Sequence, residues 1–112
     1  MKVYGIKNCD TVKKALKFLN ESELEYEFID FKKVSPTVSD IKRWKKSLGE
    51  LPVNKRGTTF RKIKEEFESA TEAQKIQLLV DNSSAIKRPV VEAEGTFLLG
   101  FKADEWSESL GV

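Results

Sequence analysis

The chain has 112 residues, with 20 Lys or Arg against 18 Asp or Glu and a net charge of +2. That length suits one domain able to bury a core without disulfide or metal support, and that charge is too balanced for bulk attraction to nucleic acid. One cysteine rules out an internal disulfide, and the absence of histidine removes the Cys-His nucleophile pair and most zinc sites.

The first residues lack the long apolar run of a signal peptide, and no later stretch approaches the length of a membrane span. A reducing cytoplasm is the expected home, with no membrane contact. The chain opens with Val3, Tyr4 and Ile6, a brief strand expected to break at Gly5. From Asp10 onward Val12, Ala15, Leu16 and Leu19 recur at helical spacing. Cys9 stands at the junction. A helix starting there aims unpaired N–H groups and the positive end of its dipole at the sulfur, which favours thiolate over thiol. Lys7 adds a positive charge nearby, and Asp10 either opposes the shift or caps the helix. The plainer alternative is a small apolar core residue, but Cys9 lies in the polar run Lys7-Asn8-Cys9-Asp10-Thr11.

Glu25 to Phe31 reads as a second strand after the polar break Asn20-Glu21-Ser22-Glu23. A helix between two such strands is the usual crossover of a parallel pair, right-handed by chain chirality. Next, Val38, Ile41, Trp44 and Leu48 mark a second helix, with Thr37 or Ser39 as N-cap and Gly49 at its end. A loop over 50–57 leads to a third helix, capped by Thr58 or Thr59, that carries Phe60, Ile63 and Phe67. Thr71 with Gln74 makes a capping box for a fourth helix containing Ile76, Leu79 and Val80. Two basic clusters, Lys42 to Lys46 and Lys55 to Lys64, read as solvated faces. Val90 to Glu92 and Thr96 to Leu99 form a hairpin around Ala93-Glu94-Gly95, and Ala103 to Leu110 a final helix with Trp106 and Leu110 on one side. Trp44 and Trp106 fall at core positions.

Strand, helix, strand, a helical insertion over about 37–82, then strand, strand, helix, with a thiol at the first strand-helix junction, is an α/β arrangement of the thioredoxin-like fold. It implies one domain over 1–112 with a mixed sheet of four strands. Four anchors carry a closer resemblance: K-N-C-D-T at 7–11, N-K-R-G-T-T-F-R-K at 54–62, K-R-P-V-V at 87–91 and G-F-K at 100–102. In this order the chain resembles the ArsC-type arsenate reductase family, in its YffB and Spx neighbourhood.

The resemblance implies that Cys9 is the catalytic nucleophile. It also implies that Arg88, before the family's cis-proline Pro89, faces the thiol pocket, where its fork would lower the thiol pKa and steady developing charge. The position where relatives bear a second cysteine is Val12, so the resolving thiol is expected from outside, as glutathione or a glutaredoxin-like partner. Of three arginines that arsenate-reducing members place around the cysteine, only Arg88 is kept; Asn54 and Lys102 stand at the other two, with Arg56 and Arg61 as substitutes nearby. Lys7, Asn8, Asn54, Arg56, Arg61, Pro89 and Lys102 make up the implied set for binding substrate or glutathione. The expected substrate is an oxidised thiol or a small oxyanion, with arsenate disfavoured and no metal. The alternative implied is a Spx-like redox-responsive regulator that binds the RNA polymerase α subunit, without direct contact to nucleic acid.

Overall fold

The computed structural model describes Met1 to Val112 throughout. The element order is β1 (Lys2–Gly5), α1 (Asp10–Glu21), β2 (Glu27–Asp30), α2 (Val38–Leu48), α3 (Thr58–Ser69), α4 (Glu72–Asp81), β3 (Val90–Ala93), β4 (Thr96–Leu99) and α5 (Ala103–Leu110). The chain divides into two compact units, one built from Met1–Lys33 with Arg88–Val112 and the other from Val34–Lys87.

The first unit holds a four-stranded sheet in the order β2-β1-β3-β4. β1 pairs with β2 in parallel, Val3 opposite Phe28, and with β3 in antiparallel, Val3 opposite Val91. β3 and β4 close an antiparallel hairpin around Glu94-Gly95, with Gly95 at φ 71°. This mixed sheet with its helical insertion is the expected thioredoxin-like fold. Val3 and Val91 share one sheet face with Ala15 and Leu19 of α1 and Trp106 of α5, and Phe18, Phe28, Leu98 and Phe101 pack around them. Each fully buried side chain of this kind contributes about 1.5–3 kcal/mol of transfer free energy. The indole of Trp106 meets Phe101 and Phe18 edge-on at 4.9 and 6.1 Å, and its Nε1–H donates to the Gly100 carbonyl at 3.0 Å. The polar atom of a large core residue is thereby satisfied.

Gly5 is the first departure from the sequence reading. It is the last residue of β1, paired with Asp30 of β2, and Ile6 falls outside the strand. A Cβ there would lie 2.9 Å from Cγ2 of Val12, so glycine permits β1 and the first turn of α1 to approach closely. β2 is also shorter than Glu25 to Phe31, because its parallel pairing with β1 runs only from Lys2↔Glu27 to Gly5↔Asp30.

In the second unit α2 packs on α4, and α4 on α3. Ile41 and Trp44, Phe60 and Phe67, and Ile76 and Leu79 are the buried residues of the three helices, with the Phe60 and Phe67 rings edge to face at 5.3 Å. Thr37 and Thr71 each close a capping box, with Asp40 and Gln74 as the reciprocal partners. α3 differs: Gly57 is its N-cap and Thr58 is already helical, so neither threonine caps it. A short 3-10 turn over Ser83–Ala85 and an antiparallel bridge between Val53 and Ile86 complete the unit. Both lie in stretches without a periodic signal. No helix is long and apolar enough to cross a membrane.

Candidate active site

Cys9 is the N-cap of α1, with extended backbone angles of φ −84° and ψ 127°. Its N–H donates to the Ile6 carbonyl at 3.1 Å, and its own carbonyl accepts from Lys13 at 2.9 Å. The backbone is thus pinned on both sides, and the partly buried side chain sits where Ser, Thr or Asp usually caps a helix. As a neutral thiol it closes no cap hydrogen bond. As a thiolate it receives what the helix end leaves unpaired. Burial pushes the Cys9 pKa up, but the Val12 N–H, the Arg88 guanidinium hydrogen bond, the Thr11 N–H and the Arg88 charge outweigh it, and the net shift is downward.

Arg88 precedes Pro89 across a cis peptide bond, immediately before β3. Pro89 is buried, and its carbonyl accepts from the Gly100 N–H at 2.9 Å. β3 lies beside β1, so the segment that enters it carries Arg88 to the Cys9 end of β1. Two residues about eighty positions apart are brought together by one strand pairing.

The other residues singled out in the sequence are distributed more widely. Lys7 and Asn8 are exposed in the turn before Cys9, and Lys7 is not among the groups that shift the thiol. Asp10 is the first residue of α1 rather than its cap, and it too leaves the thiol unshifted. Lys102 is the exposed N-cap residue of α5 and reaches Glu105 at 4.0 Å. In the helical unit, the Asn54 N–H donates to the Ala85 carbonyl at 2.7 Å and its carbonyl accepts from Gly57 at 3.1 Å. Arg56 and Asn54 line one cavity and Arg61 an adjoining one. Val12 has a part that the sequence did not reveal. Beyond filling the position of a second cysteine, it supplies the backbone hydrogen bond that lowers the thiol pKa most. The signal was available in its place three residues after the cap, where a helix N-terminus leaves an N–H unpaired.

The model of the ArsC family matches residues 4–109, from β1 to the last turn of α5. The chain belongs to the ArsC family. Among solved ArsC-like structures, the YFFB protein superposes with a TM-score of 0.85 at 38% identity, covering 97% of both chains. An arsenate reductase (ArsC) related protein from Brucella melitensis superposes with a TM-score of 0.71 at 34% identity, over 99% of this chain and 94% of the other. An uncharacterised protein of Haemophilus influenzae is 36% identical over 106 residues, 93% of each chain. These matches cover between 93% and 99% of this chain, and the family model spans the Cys9 junction, the helical insertion and the terminal hairpin together.

Proposed function

We propose that the protein is a glutathione-dependent monothiol reductase acting on an oxidised thiol. The observation that carries this reading is a lone cysteine at a helix N-cap whose thiolate is stabilised by Thr11 and Val12 N–H groups and by Arg88. Membership in a family with a member called arsenate reductase-related supports reduction as the general class.

In the first step the Cys9 thiolate attacks the glutathione sulfur of a protein-glutathione mixed disulfide. A Cys9 S–S bond forms, the substrate S–S bond breaks, and the leaving thiolate takes the electron pair and then a proton. The Arg88 guanidinium steadies the negative charge as it moves across the three sulfurs. With no second cysteine in the chain, glutathione from solution attacks the Cys9 adduct. Oxidised glutathione leaves, and the Cys9 thiolate is restored. Glutathione therefore enters as a consumed co-reactant, and the cytoplasm is the compartment that supplies it.

A tetrahedral oxyanion fits this chain less well. One arginine faces the thiol, and the two further arginine positions of the arsenate-reducing pattern carry Asn54 and Lys102. A neutral amide and a point charge give a weaker bidentate grip than two guanidinium forks.

The test is release of thiol from a glutathionylated peptide in the presence of glutathione, followed together with the mass of the protein. Turnover by the wild type, a single glutathione adduct on Cys9 and no turnover by Cys9→Ser are the expected results. Full activity in Cys9→Ser would overturn the proposal. A normal, adduct-free thiol would instead favour the Spx-like reading and move attention to RNA polymerase.

A further inference from the structure

The helical unit carries a basic surface that the thiol-exchange steps above do not use, although the family resemblance counts its Asn54, Arg56 and Arg61 toward the binding set. The last turn of α2, the loop before α3, α4 and Lys87 enclose an open cavity of about 870 Å³. Five cations line it, Lys45, Lys55, Arg56, Lys75 and Lys87, against the carboxylates of Glu50 and Glu72. A second cavity of about 480 Å³ shares Lys55, Phe67 and Lys75 with the first and adds Arg61 and Lys64 against Glu68. The two are neighbours through these shared residues and are together termed the basic trough.

Part of this charge is internally matched. Lys45 pairs with Glu72, Lys64 reaches Glu68 at 3.9 Å, and Lys75 lies over the Phe67 ring at 5.4 Å. Lys55, Arg56, Arg61 and Lys87 are exposed and stand outside these pairs. Like charges gathered on one surface repel one another, and an anion arriving from solution relieves that repulsion.

We infer that this trough docks an extended acidic segment of a partner protein. Three features select that occupant. Phe60 and Phe67 border the cavities but are 4% and 8% exposed, and Lys75 covers the Phe67 ring, so little aromatic face is left on which bases of a single strand would stack. Glu50, Glu68 and Glu72 interrupt the cations and would repel an unbroken phosphate chain, whereas a peptide with spaced acidic residues sets its charges between them. Half-buried Leu51 and Val53 line the larger cavity and can receive an apolar side chain between two acidic ones. The surface lies within the helical unit, and the inference stands whether or not Cys9 turns over.

The experiment is fluorescence anisotropy of a labelled peptide of about twelve residues, alternating glutamate and glycine around a central leucine, titrated with the full chain. A matched lysine peptide, a thymidine oligonucleotide of similar charge and inorganic triphosphate serve as competitors. The expected result is saturable binding of the acidic peptide that weakens with salt and falls about tenfold or more in Lys55→Glu/Arg56→Glu. The neutral pair Lys55→Gln/Arg56→Gln should lie between, and Cys9→Ser should bind as the wild type does. An unchanged circular dichroism spectrum and Cys9 alkylation profile establish that the charge variants remain folded. No binding of the acidic peptide, equal binding by the charge-reversed variant, or stronger binding of the oligonucleotide or triphosphate would each overturn the inference.

Discussion

Gly5 faces Val12 across a gap with no room for a side chain: a Cβ on residue 5 would stand 2.9 Å from Cγ2 of Val12 and 3.4 Å from its Cγ1. Val12 is fully buried, and its N–H is one of those that stabilise the Cys9 thiolate. Gly5→Ala must therefore shift the buried Val12 side chain, and with it the first turn of α1 where the core leaves the side chain no other room. The expected outcome is a Cys9 pKa raised toward the ordinary thiol value, read from the pH dependence of alkylation, with a stability loss of about 1–3 kcal/mol in chemical denaturation. A variant that loses stability but keeps its alkylation profile would show that the contact serves packing alone.

Arg88 lowers the thiol pKa by hydrogen bond and by charge. Arg88→Ala removes both, so the alkylation midpoint should move to higher pH and reductase activity near neutrality should drop about tenfold or more. Arg88→Lys keeps a charge but loses the planar fork and should fall between the two. An unshifted midpoint in Arg88→Ala would remove the arginine from the mechanism.

The depressed Cys9 pKa also sets a pH dependence of stability. The folded state binds the thiol proton less tightly than the unfolded state, so the contribution is full above the ordinary thiol value and fades as pH falls through the folded value. Between those two values the wild type should gain stability over Cys9→Ala as pH rises. Denaturation midpoints of both proteins across that range check the sign, and parallel curves would contradict it.

At the start of α4 the Gln74 N–H donates to Thr71 Oγ1 at 3.3 Å and the Thr71 N–H donates to Gln74 Oε1 at 2.9 Å. Thr71→Ala should cost about 1 kcal/mol in urea denaturation without altering Cys9 alkylation. Because the capping box is local, Thr71→Ser should recover most of the loss.

Much of this architecture was legible in the sequence because it rests on local signals. Thr71 and Gln74 announce a capping box, the spacing of Val12, Ala15 and Leu19 gives the buried face of α1, and Glu94-Gly95 between apolar runs gives the hairpin. The Cys9 and Arg88 pairing required the family resemblance, since only the alignment of β3 beside β1 brings them together. Gly5 both ends β1 and marks a close approach, and a glycine in a short apolar run does not announce the second role, because it depends on Val12, which arrives one element later. Gly57 takes the cap of α3 ahead of Thr58 and Thr59, a one-residue matter that side-chain preference alone did not resolve. The influence of Lys7 and Asp10 on the thiol was a question of direction and reach, which sequence proximity does not fix.

β1 sits inside the sheet, between β2 and β3, yet Lys2 meets Glu92 only after the entire helical insertion has intervened. During synthesis, β1, α1 and β2 emerge together, and β1 then presents one open edge to the cell until β3 leaves the ribosome. The insertion is a continuous stretch, complete before that moment, whereas the thiol-bearing unit is split across the message. A translation pause after Lys87 would therefore expose Cys9 without Arg88, in a nascent chain whose sheet still lacks half its strands. Joining the two pieces closes a long loop, so the β1–β3 pairing carries the largest loop-closure cost in the sheet.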